Sequence, residues 1–365
     1  MSVNRMPHTY LVKPASADCN IACTYCFYTP KTSLYPEPCP RMSLETLDKL
    51  VEEALMTGAS NISFVWQGGE PTLAGLEFFR KAVQLQEMYR YPNQRVSNSI
   101  QTNGVLVDEE WARFYKEKDW LVGVSLDGPA SQHDAYRVTN DGSGSYEKVI
   151  QGIGALRSKG VEFNILALLN DINVKKPKAL YRWLVGEGFK HLQFIPCVET
   201  GSNGEVTGFS ITPQEYGEFL VEVFDEWKRD IPEVYVRDFE DLLIGLVTGE
   251  APNCVYNGKC GEYLVVEHNG DAYPCDFFVE RRWLLGNINQ TGVEELYNGE
   301  AMNSFRENRK LHEKCGSCNH TALCHGGCLK SVTEDGYYFC ESIKHLLNKR
   351  GDKLQSIADR FPDQT

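Results

Sequence analysis

No run of about 18 or more apolar residues occurs in the 365 residues, so no segment reads as a membrane-crossing helix. The stretch Met1 to His8 lacks the apolar core of a secretory signal, and the chain is expected to be soluble and cytoplasmic. A basic excess is missing too. Lys and Arg number 37 against 50 Asp and Glu, a net charge of −13. That balance works against binding a phosphate backbone, so neither nucleic acid nor membrane is expected as a partner. There is no internal repeat or low-complexity tract, which excludes a repeat array.

What is present is ordinary globular composition, 42% hydrophobic and 24% charged, enough for one large domain and a smaller one. Cysteine is abundant at 13 residues. In a reducing cytosol these are metal ligands before they are disulfides, and the odd count with tight local spacing agrees.

From Tyr10 to about Cys197, short apolar or β-branched runs alternate with helical patterns, as βα units around a mostly parallel sheet do. The expected strands are Tyr10–Lys13, Ile62–Gln67, Val96–Gln101, Leu121–Leu126, Phe163–Leu169 and Leu192–Ile195. Ser43 and Asp108 precede helical runs and are expected to cap them. Polar or Gly-rich motifs follow the strands: a Cys loop, Gly68-Gly69-Glu70-Pro71, Asn103-Gly104 and Asp127-Gly128. In parallel βα barrels such motifs gather on the catalytic face. The fold class is therefore α/β, a partial (β/α)6 barrel. A helical region from Thr212-Pro213 to about Val247 leads to a segment where periodicity fades and eight cysteines fall between about 250 and 345. With so little apolar core, that domain is expected to use metal as its staple. The expected division is 1–235 for the barrel, 236–345 for the Cys-rich domain with linking helices, and 346–365 for a C-terminal helix and tail, loose after Gln355.

Cys19, Cys23 and Cys26 form C-x3-C-x2-C in one loop. Three thiolates are one short for a 4Fe–4S cube and leave one iron open to a small molecule. A zinc knuckle completed by a distant ligand is the competing reading. This loop, with Tyr25 before its last cysteine and GGEP after the second strand, resembles the radical SAM superfamily. The resemblance implies that the open iron binds S-adenosylmethionine (SAM). It also implies cofactor contacts from Tyr25, Gly68, Gly69, Glu70, Ser125, Arg137 and Ile195, with the two glycines allowing close backbone approach.

Further on, Cys315, Cys318, Cys324 and Cys328 form C-x2-C-x5-C-x3-C, preceded by Cys254, Cys260, Gly270 and Cys275 and followed by Cys340. This resembles the SPASM domain of peptide- and protein-modifying radical SAM enzymes. Eight thiolates saturate two 4Fe–4S clusters, which suits electron transfer, whereas two structural zincs would show similar spacing. The resemblance assigns Cys254, Cys260, Cys275 and Cys328 to a nearer cluster and Cys315, Cys318, Cys324 and Cys340 to a farther one, three 4Fe–4S clusters in all. Cys39 and Cys197 are left over, as a loop thiol and a small buried hydrophobe, and His325 is expected to be a bystander.

IACTYCFY, WQGGEPTL, SLDGP, QFIPC and PCDFF, with the C-terminal cysteine pattern, resemble the anaerobic sulfatase-maturating enzymes over nearly the whole chain. That family converts a cysteine or serine of a sulfatase to Cα-formylglycine. The implied reaction removes a hydrogen atom from the substrate Cβ by the 5′-deoxyadenosyl radical. A proton then passes to Asp276 and an electron to the nearer cluster, and hydrolysis finishes the cysteine case. The implied partners are an unfolded Cys/Ser-x-Pro-x-Arg segment and an electron donor such as flavodoxin or ferredoxin. The rival reading is a SPASM-type maturase that crosslinks a ribosomal peptide. Many of those carry an N-terminal leader-binding domain, for which a first strand near Tyr10 is expected to leave no room. A zinc-stapled binding protein without catalysis is the third.

Overall fold

The computed structural model describes residues 6–201 and 204–361. Met1–Arg5, part of the stretch read for a secretory signal, and the last four residues of the tail lie outside the described residues. The chain divides into two compact units. One comprises Met1–Val124, Arg137–Phe163 and Cys260–Asn308, and the other Ser125–Tyr136, Asn164–Lys259 and Arg309–Thr365.

In the first unit the strand Thr9–Lys13 is buried on both faces, from Tyr10 through Lys13. A strand covered this way belongs in the middle of a parallel sheet. It pairs in parallel with Asn61–Trp66, which pairs with Arg95–Thr102, which pairs with Leu121–Ser125. On its other side Thr9–Lys13 pairs in parallel with Leu264–Glu267. The helix Leu44–Met56 starts at Ser43, whose hydroxyl accepts from Thr46 N at 3.0 Å, and it buries Leu47, Leu50, Val51, Ala54 and Leu55. Asp108 caps Glu109–Glu117 through Glu110 N and Trp111 N. Both caps use side-chain oxygens on free helix-end donors.

The Cys-rich segment differs from the expectation of a domain without apolar core. Leu264–Glu267 is wholly buried and forms a hairpin with Asp271–Tyr273 through His268-Asn269-Gly270, where Gly270 has φ +90°. Four apolar or buried residues followed by Asn-Gly are a hairpin signal in their own right. Here the chain joins an existing sheet, so sheet burial supports this part of it.

The second unit carries the parallel strands Phe163–Leu169, His191–Pro196 and Tyr235–Val236. The helix Pro213–Trp227 opens with a reciprocal cap: Thr212 Oγ1 accepts from Glu215 N at 3.2 Å, and Thr212 N donates to Glu215 Oε2 at 2.8 Å. The last helix, Cys340–Ala358, packs on it and on Arg237–Thr248. This helix passes the expected loose point at Gln355 because Leu354 and Ala358 are buried. No helix among the described residues is long and apolar enough to cross a membrane.

Candidate active site

The Cys loop leaves the first strand in tight turns, Ser16 N donating to Lys13 O at 3.1 Å and Asp18 N to Ala15 O at 3.0 Å. Ile21–Cys23 pairs antiparallel with Arg137–Thr139, setting Cys23 opposite Arg137. Arg137 is buried, with Nη1 3.8 Å from Cys23 Sγ and its guanidinium 5.4 Å from the Tyr25 ring centroid. Two of the expected cofactor residues thus meet on the loop that carries Cys19, Cys23 and Cys26. Burial, with Glu70 nearby, pushes the Cys19 thiol up to about 12. Coordination to a metal cation is what overcomes such a penalty, because it stabilises the thiolate directly.

Gly68 and Gly69 answer first to their own chain. A Cβ on Gly69 would lie 2.0 Å from the Asp18 carbonyl oxygen, and one on Gly68 2.7 Å from Ser16 O. Gly69 N donates to Ser16 O at 2.6 Å and Glu70 N to Asp18 O at 2.8 Å, stitching this loop to the residues just before Cys19. Glu70 is fully buried. Its carboxylate accepts from Thr72 N at 3.0 Å, Thr72 Oγ1 at 2.6 Å, Thr102 Oγ1 at 2.7 Å and Asn103 N at 2.7 Å. Burial raises its proton affinity and these donors oppose the rise. Asn103, held this way, donates to Asn20 Oδ1 at 2.7 Å and lies 3.6 Å from Cys19 Sγ. Two motifs that follow two other strands therefore converge on the Cys loop that follows the first.

Asp276 lies in the same unit and is 9% exposed. Gln67 Nε2 donates to its Oδ2 at 3.1 Å and the Tyr263 hydroxyl to its Oδ1 at 3.0 Å. The same hydroxyl is 3.3 Å from Cys275 Sγ. The Phe27 ring meets Phe277 beside it in a tilted contact, with ring centroids 4.9 Å apart. Gln67 directly precedes the Gly-Gly-Glu loop, so the carboxylate is tied to the element that braces the three-cysteine loop. The sequence alone assigns neither Gln67 nor Tyr263 a place in the site. Gln67 had a legible cue in its place at a strand end before a functional loop; Tyr263 had none.

Ser125 and Ile195 stand at or next to the carboxyl ends of their strands, in the second unit. Of the cysteines assigned to the nearer cluster, Cys260 and Cys275 lie in the first unit and Cys254 and Cys328 in the second. Cys315, Cys318, Cys324 and Cys340 line one open pocket together with His312, His320 and Tyr337. Cys328, given to the other cluster, is not among its lining residues. Four thiols around one cavity are the donor set that a 4Fe–4S cluster takes. Cys39 is exposed, and Cys197 is buried with its thiol pushed up to about 12. His325 adopts φ +46° at a helix end and packs on Gly258.

Residues 14–184 match the radical SAM superfamily model, and residues 254–319 match the SPASM iron–sulfur cluster-binding domain. The chain is thus an SAM-dependent radical enzyme, a partial α/β barrel of the radical SAM type followed by a SPASM domain, and its cofactors are SAM and 4Fe–4S clusters. It is 37% identical to the cysteine-type anaerobic sulfatase-maturating enzyme of Clostridium perfringens strain 13, over 97% of this chain and 99% of that one. It is also 37% identical to the serine-type enzyme of Bacteroides thetaiotaomicron, over 90% and 85%. The solved structure of native anSMEcpe with bound AdoMet and Cp18Cys peptide superposes with a TM-score of 0.91 at 36% identity, covering 97% of this chain and 100% of that one. The chain belongs to the anaerobic sulfatase-maturating enzyme family.

Proposed function

We propose that this chain oxidises a cysteine or serine side chain in an unfolded sulfatase segment of the Cys/Ser-x-Pro-x-Arg type to Cα-formylglycine, with Asp276 as the base. The observation that carries the reading is the setting of Asp276: a buried carboxylate, aimed by Gln67 and Tyr263, whose neighbour in sequence is the cluster cysteine Cys275. When bound, SAM and the clusters supply a 5′-deoxyadenosyl radical and a sink for one electron. The protein's own part is to hold and move a proton. Asp276 accepts it from the substrate as the electron departs, which puts both sinks beside one carbon. Gln67 and Tyr263 keep the acceptor oxygens turned toward the site.

In this reading Cys19, Cys23 and Cys26 hold the SAM-binding cluster, contacted by Tyr25, Gly68, Gly69, Glu70, Ser125, Arg137 and Ile195. Glu70 acts by bracing Asn103 and the Cys loop, and the glycines by presenting backbone. Cys254, Cys260, Cys275 and Cys328 hold one auxiliary cluster, and Cys315, Cys318, Cys324 and Cys340 the other. The division at 1–235, 236–345 and 346–365 follows those roles. A flavodoxin- or ferredoxin-type donor in the cytoplasm would supply the electrons. A carboxylate aimed beside a cluster ligand serves dehydrogenation and gives a crosslinking maturase no evident advantage.

The test is Asp276→Asn in reconstituted enzyme with SAM, reductant and a cysteine peptide. Formylglycine should fall by about 10²-fold or more while 5′-deoxyadenosine still forms with hydrogen taken from the peptide. Normal aldehyde yield would refute the role.

A further inference from the structure

We infer that Asn103 is a positioning residue for radical formation: its side-chain amide donates to the Cys19 sulfur and so eases reduction of the SAM-binding cluster. The inference rests on the reading of Cys19 as a ligand of that cluster.

Asn103 directly follows the strand Arg95–Thr102 and is 7% exposed. Its Nδ2 donates to Asn20 Oδ1 at 2.7 Å and stands 3.6 Å from Cys19 Sγ, a separation that a hydrogen bond to the larger sulfur atom spans. A primary amide carries two N–H donors, so both acceptors can be served at once. The amide cannot be turned over without loss, because Val105 N donates to Asn103 Oδ1 at 3.0 Å. That bond fixes the donor end of the amide toward the Cys loop.

The main chain of Asn103 is held as firmly as its side chain. Its N–H donates to Oε2 of the buried Glu70 at 2.7 Å, and Glu70 N donates to Asp18 O at 2.8 Å. Asp18 and Asn20 are the chain neighbours of Cys19, so hydrogen bonds through Glu70 and Asn103 close a circuit across that cysteine. Thr102 adds to it: its hydroxyl donates to Glu70 Oε1 at 2.7 Å and accepts from Gly104 N at 3.0 Å. A donor aimed at a thiolate draws off part of its charge, and hydrogen bonds to the sulfurs are among the levers that set a cluster's reduction potential. The reduced cluster is the more negative state, so the donor stabilises it more and raises the potential. SAM cleavage needs that reduced state, and Asn103 serves it with no proton changing hands.

The experiment is a potentiometric titration of the holoenzyme by electron paramagnetic resonance, following the cluster signal that changes when SAM is added. Asn103→Leu removes the donor at nearly constant volume. Asn103→Asp keeps an acceptor for Val105 N and, once ionised, has no donor. At wild-type iron content, both should lower the ratio of reduced to oxidised SAM-responsive cluster about 10-fold at a fixed potential, a negative shift of about 59 mV for one electron. Formation of 5′-deoxyadenosine should slow with it while the KM for SAM holds. A wild-type potential in both variants would overturn the inference, and so would slowing at an unchanged potential, the mark of a merely structural role. Should Asn103→Leu lose its iron, Asn103→Asp decides by the same outcomes. Cys19→Ala tests the reading underneath: the SAM-responsive signal should vanish, which leaves the ligand assignment standing whatever Asn103 does. Survival of that signal would refute both.

Discussion

Gly69 shows how much of this site is decided by single atoms. Its hydrogen occupies a place where a methyl carbon would sit 2.0 Å from the Asp18 carbonyl oxygen, inside the turn that feeds Cys19. Backbone on both sides is fixed by hydrogen bonds, so relief requires moving the Cys loop itself. Gly69→Ala is expected to cost about 3 kcal/mol or to displace the loop, and iron analysis with thermal melting separates the two. Wild-type iron content and melting temperature would mean that the close approach is not needed. The glycines were legible in the sequence as a motif, but their reason was not. The close approach of Ala17 and Asp18 to Gly69 is a second demand on that position, beside the proposed backbone contact with SAM.

At the scale of elements, strands and helices answered to local pattern wherever the pattern was periodic. The six expected strands form to within about one residue at each end, and Ser43 and Asp108 cap as their side-chain chemistry dictates. Leu264–Glu267 escaped because four residues are too few for a period, although Asn269-Gly270 marked the turn. The C-terminal helix was read too short because Leu354 and Ala358 find partners only in three dimensions. Its anchor supplies a prediction. Arg350 grips Asp225 through Nε to Oδ1 at 2.9 Å and Nη2 to Oδ2 at 2.5 Å. The guanidinium holds the Asp225 carboxyl down at about 2, below its ordinary 3.8. A depressed carboxylate contributes stability that is complete above the unfolded pKa and lost as pH falls through the folded one. Asp225→Asn should therefore lower stability by about 1 kcal/mol, given partial exposure of the pair. The difference from wild type should stay flat from about pH 8 to 5 and shrink only below about 4. A difference that varies between pH 8 and 5 would assign the effect to another group.

On the scale of the whole molecule, cysteine spacing carried the cofactor chemistry, because ligands within a loop are written in consecutive residues. The Asp276 setting was half legible: PCDFF announced a carboxylate beside a ligand, while Gln67 and Tyr263, which aim it, come from elsewhere in the chain. The central claim is that these parts together oxidise a sulfatase side chain. The most direct measurement gives anaerobically reconstituted enzyme SAM, a reductant and a Cys-x-Pro-x-Arg peptide, and follows the peptide by mass spectrometry beside 5′-deoxyadenosine. The account predicts cysteine converted to formylglycine in step with 5′-deoxyadenosine. A peptide that stays unchanged while SAM is cleaved, or no reaction in protein with intact clusters, would contradict it.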